Sequence, residues 1–520
     1  MSPVADADKY DASQFQSSHV GKTTSGSFTV SDYNKSLALY PEYLPTWNPN
    51  QKFPSYTFQE YHDRGLLADP QLSNLFPPGG DYNIRRISPK LGSEITGIQL
   101  SQLDSAAKND LAKFVAERGV VVFKNQDFNN GGPQKAVEFC KYFGSLYKHP
   151  TSGSPEGFPE LHVCFLGADQ DALDNVFKDR TNSVSWHSDC SYALNGLQLT
   201  LFSCLQLADS GGDTLFANSV EAYERLSPAM KERLEGLHVL HSSLEQANNN
   251  KQAGGITRRA PEANIHPLVR INPVTEKKHL YLNKEFGRRI VELKEDESDY
   301  LLSFLFDHIE KSSDLQIRVR WEENTVVLWN NSTTIHSPCV DFDEPIIRHA
   351  YRISVMGERP VGDLKYLNDV NYLQEKYTEL DIDDVLNLEE EQYQLGYKEG
   401  QEQDTKEHYI EGKEYGYQAG FQRFLIIGYV QGLIEHWLHS DLPESTTKHV
   451  HQLQELVSAI RLTNGDEEVE IYDKNIKKIK NKLRVIASLT KESWKVDSLD
   501  DLVKEIGGQI QASEGAENMW

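Results

Sequence analysis

The stretch Trp186-His187-Ser188-Asp189 is the most informative part of this 520-residue chain. If these residues end a short strand, His187 and Asp189 point to the same face, because alternate residues of a strand share a face. A second histidine, His336, follows far downstream. Two imidazoles and one carboxylate on one side of a metal ion leave coordination positions open. The sequence therefore predicts an open metal site built by His187, Asp189 and His336.

That ligand set is typical of non-heme Fe(II) oxygenases. A single histidine among the 17 of this chain is more often structural, and a His-x-Asp pattern also arises by chance. Two further features favour the metal site: the run Ser210-Gly211-Gly212-Asp213-Thr214, and a pair of arginines, Arg348 and Arg352, beyond His336. The alternative for the arginines is a surface strand that carries two solvated charges.

The bulk composition excludes several classes of protein. A net charge of −25 argues against nucleic acid or an anionic membrane as a partner. None of the five cysteines forms a CxxC pair, which favours a reducing compartment. The polar N-terminus has no apolar segment like that of a signal peptide. We therefore expect a cytoplasmic protein that binds neither nucleic acid nor membranes.

The length predicts more than one domain. Many short strands with a few helices predict an α+β domain built as a jelly roll, that is, a double-stranded β-helix. A buried strand is expected at residues 119–123, another at 325–329, a helix beginning at Ser227-Pro228, and a hairpin over 272–283. The predicted organisation is a disordered tail (1–36), an extended arm (37–83), the jelly-roll domain (84–360), a linker (361–379), an all-α helical module (380–510) and a flexible tail (511–520).

The region from about Ile84 to Pro360 resembles the taurine dioxygenase (TauD) family, and within it the fungal sulfonate dioxygenases. The resemblance is carried by residues 186–189, by Gly211-Gly212-Asp213-Thr214, by residues 331–336 and by residues 348–352. It implies that His187, Asp189 and His336 bind Fe(II).

The same resemblance assigns the remaining candidate site residues. Thr214 and Arg348 are expected to bind the distal carboxylate of 2-oxoglutarate, which is the cosubstrate together with O2. His149 and Arg352 are expected to hold the sulfonate of a small substrate. The roles of Arg348 and Arg352 suit arginine, because its planar guanidinium can donate two parallel hydrogen bonds to an oxyanion.

A second pattern begins after residue 380. Glycine recurs on a four-residue register at Gly396, Gly400, Gly412, Gly416, Gly420, Gly428 and Gly432. Each glycine costs a helix roughly 1 kcal/mol relative to alanine. The register therefore predicts a smooth helix face that a second helix approaches closely. A flexible glycine linker is disfavoured because large apolar residues, not serines, fill the gaps.

The region from about Asp381 to Trp520 resembles the small deca-GX3 proteins. Those act as adaptors in cytosolic iron–sulfur protein assembly, paired with a second glycine-repeat protein. The resemblance implies two partners for this region, a glycine-repeat protein and the targeting machinery, the latter through the terminal Trp520. Helices are expected over 449–462, 467–489 and 499–506.

The sequence thus predicts a dioxygenase that oxidises a small sulfonate to an aldehyde and sulfite, fused to an adaptor module. Two alternatives stay open. The substrate of the iron chemistry is instead a sulfate ester or an aryloxy acid, or the protein is an adaptor whose oxygenase half is vestigial.

Overall fold

The computed structural model describes residues 20–168, 181–341, 345–373, 423–461 and 466–496. The chain divides into two compact units, Met1–Glu390 and Glu391–Trp520. Within the described residues, no helix combines the length and the apolar character needed to cross a membrane.

The first unit is built on eighteen described strands. They are β1 Val20–Lys22, β2 Phe28–Val30, β3 Thr46–Trp47, β4 Asn83–Arg86, β5 Ser93–Thr96, β6 Val120–Phe123, β7 His162–Leu166, β8 Leu197–Gln206, β9 Thr214–Asn218, β10 His238–Ser242, β11 Ala263–Pro267, β12 Val269–Ile271, β13 Lys278–Leu280, β14 Gly287–Ile290, β15 Gln316–Val319, β16 Val326–Asn330, β17 Thr334–Pro338 and β18 Arg348–Met356. Its helices are Asp32–Leu37, Ser105–Arg118, Gly132–Lys141, Ser219–Glu224, Pro228–Leu234, Leu244–Gln252 and Glu295–Glu310.

Two facing sheets form the jelly roll that the sequence predicted. The larger sheet has the order β4-β5-β6-β16-β8-β18-β7, and the smaller one has the order β15-β9-β17. The apolar residues between the sheets include Val122, Phe202, Phe216, Val319 and Trp329. Side chains that point into this space from β18 and β9 can therefore meet.

The opposite face of the larger sheet is covered by two helices, Ser105–Arg118 and Gly132–Lys141. Phe114 and Val137 from these helices belong to the same apolar core as Tyr351 and Ile353 of β18, whereas Ala350 belongs to the core between the sheets. Because side chains alternate along a strand, Arg348 and Arg352 share the face of Ala350. Both arginines are thus directed toward the interior of the jelly roll.

Four predicted elements are found at or within three residues of their expected positions. The buried strand expected at 119–123 is β6, and that expected at 325–329 is β16. The side chain of Ser227 caps the helix Pro228–Leu234 by accepting a hydrogen bond from Met230 N, with proline in the first turn. The predicted hairpin is formed by β12 and β13.

The N-terminal prediction is wrong from residue 20 onward. Residues 20–36 were assigned to a disordered tail, but β1 and β2 form a hairpin there, and the helix Asp32–Leu37 follows it. β3, which comes after the helix, adds to the hairpin as the third strand of a small antiparallel sheet. The reason is a short hairpin with strand-forming Val20, Phe28 and Val30, closed by Gly26 at φ +87°. Residues 1–19 lie outside the described residues.

The predicted linker also differs from the structure. Residues 361–373 pack against the rest of the first unit, and Val361 is fully buried. Arg359 Nη1 donates to the carbonyl of Val370 over 3.1 Å, and Tyr61 N donates to Asn368 Oδ1 over 3.3 Å. This segment completes the oxygenase unit. Residues 374–379 lie outside the described residues.

The second unit is helical in its described part, with residues 423–438 helical and the helices Glu444–Ser458 and Asp466–Thr490 following. Ile427, Val430, Trp437, Leu453 and Ile479 belong to its apolar core. The helices predicted over 449–462 and 467–489 correspond to the second and third of these. The helix predicted over 499–506, the tail at 511–520 and five of the seven register glycines lie outside the described residues.

Candidate active site

The three predicted metal ligands converge between the two sheets. His187 Nε2 lies 3.6 Å from Asp189 Oδ1, and His336 Nε2 lies 3.5 Å from the same oxygen. Within the described ranges, these three residues are the group of histidine, cysteine and acidic side chains that could hold one metal ion, with their ligand atoms within 4.8 Å of one another.

The predicted strand at residues 186–189 is wrong, although the residues meet as expected. His187 forms only an isolated bridge with His336, in which each backbone N–H donates to the other's carbonyl over 2.9 and 2.8 Å. Asp189 is held instead by Asn331, whose side-chain oxygen accepts from Asp189 N and whose amide donates to the Asp189 carbonyl, both over 3.0 Å. The loop over residues 186–189 is thus positioned by the His187–His336 bridge and by the side chain of Asn331.

The histidine tautomers suit metal binding. His187 Nδ1 lies 2.8 Å from the carbonyl of Ser185. A carbonyl only accepts, so Nδ1 carries the proton and Nε2 keeps a lone pair for a cation. Burial lowers the pKa of His336 to about 3, so that its ring is neutral and able to coordinate.

The carboxylate of Asp189 is the strongest sign that a cation belongs here. It is buried, and neither oxygen accepts an aligned hydrogen bond, although Arg352 Nη1 lies 2.6 Å from Oδ1. Burial alone would raise the pKa of Asp189, but the guanidinium of Arg352 outweighs it and holds that pKa well below its usual range. A buried anion with unused lone pairs and two imidazoles beside it fits a divalent iron ion.

A first cavity lies beside Arg348. Its lining includes Cys204, Leu207, Gly212, Trp321 and Arg348. The guanidinium is oriented by the carbonyl of Gly212, to which Nη2 donates over 2.9 Å. A pocket with apolar walls and one fixed cation suits the carboxylate end of a small molecule.

The predicted partner of Arg348, Thr214, lies next to this cavity. Its hydroxyl accepts a hydrogen bond of 3.1 Å from Trp321 Nε1, and Trp321 lines the cavity. The preceding glycines, Gly211 and Gly212, have φ of +82° and +71°. Other residues rarely adopt this conformation, which explains the glycine pair before Thr214.

A second cavity is bordered by Asp189. Both residues predicted to hold the sulfonate, His149 and Arg352, line it. His149 Nδ1 accepts hydrogen bonds from the backbone N–H groups of Thr151 and Ser152, over 3.3 and 3.2 Å. The neutral ring therefore carries its proton on Nε2, which makes His149 a hydrogen-bond donor.

The remaining residues of this lining were missed by the sequence reasoning. They are Tyr147, Glu160, His162, Cys190, Leu197 and Ser354. Tyr147 lies two positions before His149, and Cys190 directly follows the candidate metal ligand Asp189. His162 is brought in by strand pairing across 190 positions, which no local pattern reveals.

Two adjacent arginines, Arg258 and Arg259, hold the loop that carries His149 by hydrogen bonds. Arg259 donates to the hydroxyl of Tyr147 over 3.1 Å and to the carbonyl of Lys148 over 2.9 Å, and its guanidinium lies 4.1 Å from the ring centre of Tyr56. Arg258 Nη2 donates to the carbonyl of His149 over 3.2 Å. Tyr56 belongs to the N-terminal arm, so the arm helps to position the second cavity.

Comparison with known proteins agrees with this site. The family model described as taurine catabolism dioxygenase TauD, TfdA family matches residues 83–354, and that described as essential protein Yae1, N terminal, matches residues 396–434. An alpha-ketoglutarate-dependent sulfonate dioxygenase of Saccharomyces cerevisiae is 49% identical over 360 residues, which cover 69% of this chain and 87% of the yeast protein. A putative alpha-ketoglutarate-dependent sulfonate dioxygenase of Schizosaccharomyces pombe is 36% identical and covers 64% of this chain and 84% of its own.

A similar solved structure is that of a putative alpha-ketoglutarate-dependent taurine dioxygenase from Burkholderia xenovorans. It is 26% identical, has a TM-score of 0.46, and covers 54% of this chain and 95% of its own. The jelly roll, the site and the relatives together define an Fe(II)- and 2-oxoglutarate-dependent dioxygenase. The chain belongs to the TauD, TfdA family, and residues 396–434 of its second unit match the Yae1 N-terminal model.

Proposed function

We propose that this enzyme oxidises a small organosulfonate to an aldehyde and sulfite. The observation that carries the proposal is the second cavity, where the cation Arg352 and the donor His149 both line a space bordered by Asp189. A sulfonate is anionic at neutral pH and needs a fixed cation. Binding there would hold the carbon next to sulfur close to the metal ligands.

The same geometry supports the ligand roles. His187, Asp189 and His336 would hold Fe(II), while Arg348 and Thr214 would bind the far carboxylate of 2-oxoglutarate in the first cavity. When bound, iron with 2-oxoglutarate and O2 supplies the oxidant that hydroxylates a C–H bond, with release of succinate and CO2. A carbon that bears both a hydroxyl and a sulfonate then breaks down to an aldehyde and sulfite.

A panel of anions tests the proposal. The full chain is supplied with Fe(II), 2-oxoglutarate and O2, and then with alkyl sulfonates, alkyl sulfate esters or aryloxy acids of matched size. We expect sulfite from the sulfonates. Sulfate from the esters, with no sulfite from any sulfonate, would instead identify a sulfate-ester dioxygenase. No succinate formation with any compound would favour a vestigial oxygenase.

For the second unit, we infer an adaptor of the deca-GX3 kind that acts in cytosolic iron–sulfur protein assembly. The supporting observation is that Gly428 and Gly432 are exposed, on the side of their helix opposite to Ile427, Val430 and Trp437. Among the described residues, a Cβ atom added at either glycine meets no atom within 4 Å. The face is therefore open to the close approach of a glycine-repeat partner helix, and co-purification with such a partner from the cytosol tests this role.

A further inference from the structure

His162 lies beside Arg352 in the larger sheet, although 190 positions separate them in the chain. The two residues are direct partners in the antiparallel pairing of β7 with β18. Directly opposed residues of an antiparallel pair place their side chains on the same face. Both line the second cavity with His149, and the ring centres of His149 and His162 are 4.5 Å apart.

The hydrogen bond between this pair determines the tautomer of His162. Arg352 Nε donates to His162 Nδ1 over 3.1 Å. A guanidinium has no acceptor, so Nδ1 of His162 must be unprotonated and a neutral ring carries its proton on Nε2. Burial, and next the charge of Arg352, lower the pKa of His162 well below its usual value, which agrees with a neutral ring. His162 is thus a donor through Nε2, like His149.

We propose that His162 is a third substrate-binding residue, which together with His149 and Arg352 forms a three-donor site for a tetrahedral –SO3 group. The inference rests on the proposed function and deepens it. An –SO3 group has three equivalent oxygens, and each can accept a hydrogen bond from one of these residues. A planar carboxylate has only two oxygens.

The third donor would give the site its selectivity. If a carboxylate binds in the cavity, one of the three N–H donors is removed from water without gaining an acceptor. Leaving such a donor unpaired makes the binding free energy less favourable by about 1–3 kcal/mol. Sites built to hydrogen-bond a group reject analogues that lack it for this reason. The donor set therefore selects sulfonates and sulfate esters over carboxylates of the same chain length.

The negative charges around the cavity do not oppose an anion there. Asp189 is paired with Arg352. The other acid of the lining, Glu160, has Lys148 Nζ at 3.9 Å from its carboxylate.

Two substitutions separate binding from mere positioning of Arg352. His162→Asn keeps an oxygen near the place of Nδ1, which can accept from Arg352, but it removes the donor at Nε2. His162→Gln does the reverse, because its longer amide reaches the place of Nε2. His62→Asn serves as a surface control, since the His62 side chain is 73% exposed.

The affinities are measured by calorimetry on the full chain loaded with Fe(II) and 2-oxoglutarate, without O2. The probes are propane-1-sulfonate, propyl sulfate and butanoate. We expect His162→Asn to weaken the binding of both –SO3 compounds by about 10-fold or more, and that of butanoate by less. His162→Gln should lose less –SO3 affinity than His162→Asn, and the His62 control should lose none.

Three results would overturn the proposal: the opposite order of the two variants, an equal loss for butanoate and propane-1-sulfonate, or wild-type protein that binds neither –SO3 compound. Melting temperatures identify a variant that fails to fold, and the other variant then carries the comparison with wild type. If the affinities behave as expected but no sulfonate yields sulfite, the three-donor site stands and sulfonate oxidation fails.

Discussion

Arg352 Nη1 lies 2.6 Å from Asp189 Oδ1, so one guanidinium contacts the candidate metal-ligand carboxylate and also lines the candidate substrate cavity. The sequence suggested only the second role. The cation keeps Asp189 ionised before the metal arrives, and it places positive charge next to the position of an anionic substrate. The two roles can be separated by experiment.

The first prediction concerns this pair. Arg352→Ala should weaken sulfonate binding by about 10-fold or more, because a charge-assisted contact is worth about 1.5–3 kcal/mol. Iron affinity should change much less, because the loss of a positive charge that repels the metal offsets the higher pKa of Asp189. Iron titration and sulfonate calorimetry measure both effects. A loss of iron affinity with sulfonate binding intact would assign Arg352 to the metal site alone.

The second prediction concerns the neighbouring arginine. Arg348→Ala should raise the KM for 2-oxoglutarate by about 10-fold or more and should change the KM for the sulfonate much less. Arg348→Lys serves as the matched variant, since it keeps the charge but loses the planar fork. If Arg348→Ala and Arg352→Ala weakened the same ligand, the two roles assigned here would be wrong.

The third prediction concerns the metal ligands and their support. Asp189→Ala should abolish turnover, because the site loses its only anionic ligand. Asn331→Ala should lower iron affinity or activity by about 10- to 100-fold, as expected for residues that orient metal ligands. Asn371, in a surface turn, provides the control substitution. An Asp189→Ala enzyme that keeps its activity and iron affinity would contradict the metal site.

The fourth prediction concerns the boundary of the oxygenase unit. A chain that ends at residue 362 should be less stable than one that ends at 373, by about 2 kcal/mol. It loses the hydrogen bonds to Val370 and Asn368, at about 1 kcal/mol each. Thermal melting of the two chains measures this difference. Equal melting temperatures would show that residues 363–373 do not stabilise the oxygenase unit, as expected of a plain linker.

The fifth prediction concerns pH and the helical unit. Glu492 accepts from Trp437 Nε1 over 2.7 Å and pairs with Lys495 at 2.7 Å, and these contacts, Lys495 first, lower its pKa to about 2. A lowered pKa contributes stability above the unfolded value of 4.5, and this contribution is lost as the pH falls toward 2. Glu492→Gln should therefore destabilise the unit near pH 7, by less than about 1 kcal/mol after solvent screening. The difference from wild type should vanish near pH 2, and a difference that persists there would show that the charge is not its cause.

Much of the site could be predicted because its chemistry is local in the sequence. The His-x-Asp stretch, the Gly211–Thr214 run and the spacing of Arg348 and Arg352 are short patterns that can be recognised in the sequence itself. His162 could not be found in this way, since its role depends on the register of β7 against β18. The N-terminal sheet was missed because three-residue strands in a polar segment have too few residues to show an alternating pattern.

The stoichiometry of the reaction tests the central claim most directly. Succinate and sulfite are measured together while the full chain, with Fe(II), 2-oxoglutarate and O2, consumes a small alkyl sulfonate. We predict about one sulfite for each succinate, with both lost in Asp189→Ala. Succinate that forms without sulfite from every sulfonate tested would contradict the assignment of the second cavity to a sulfonate.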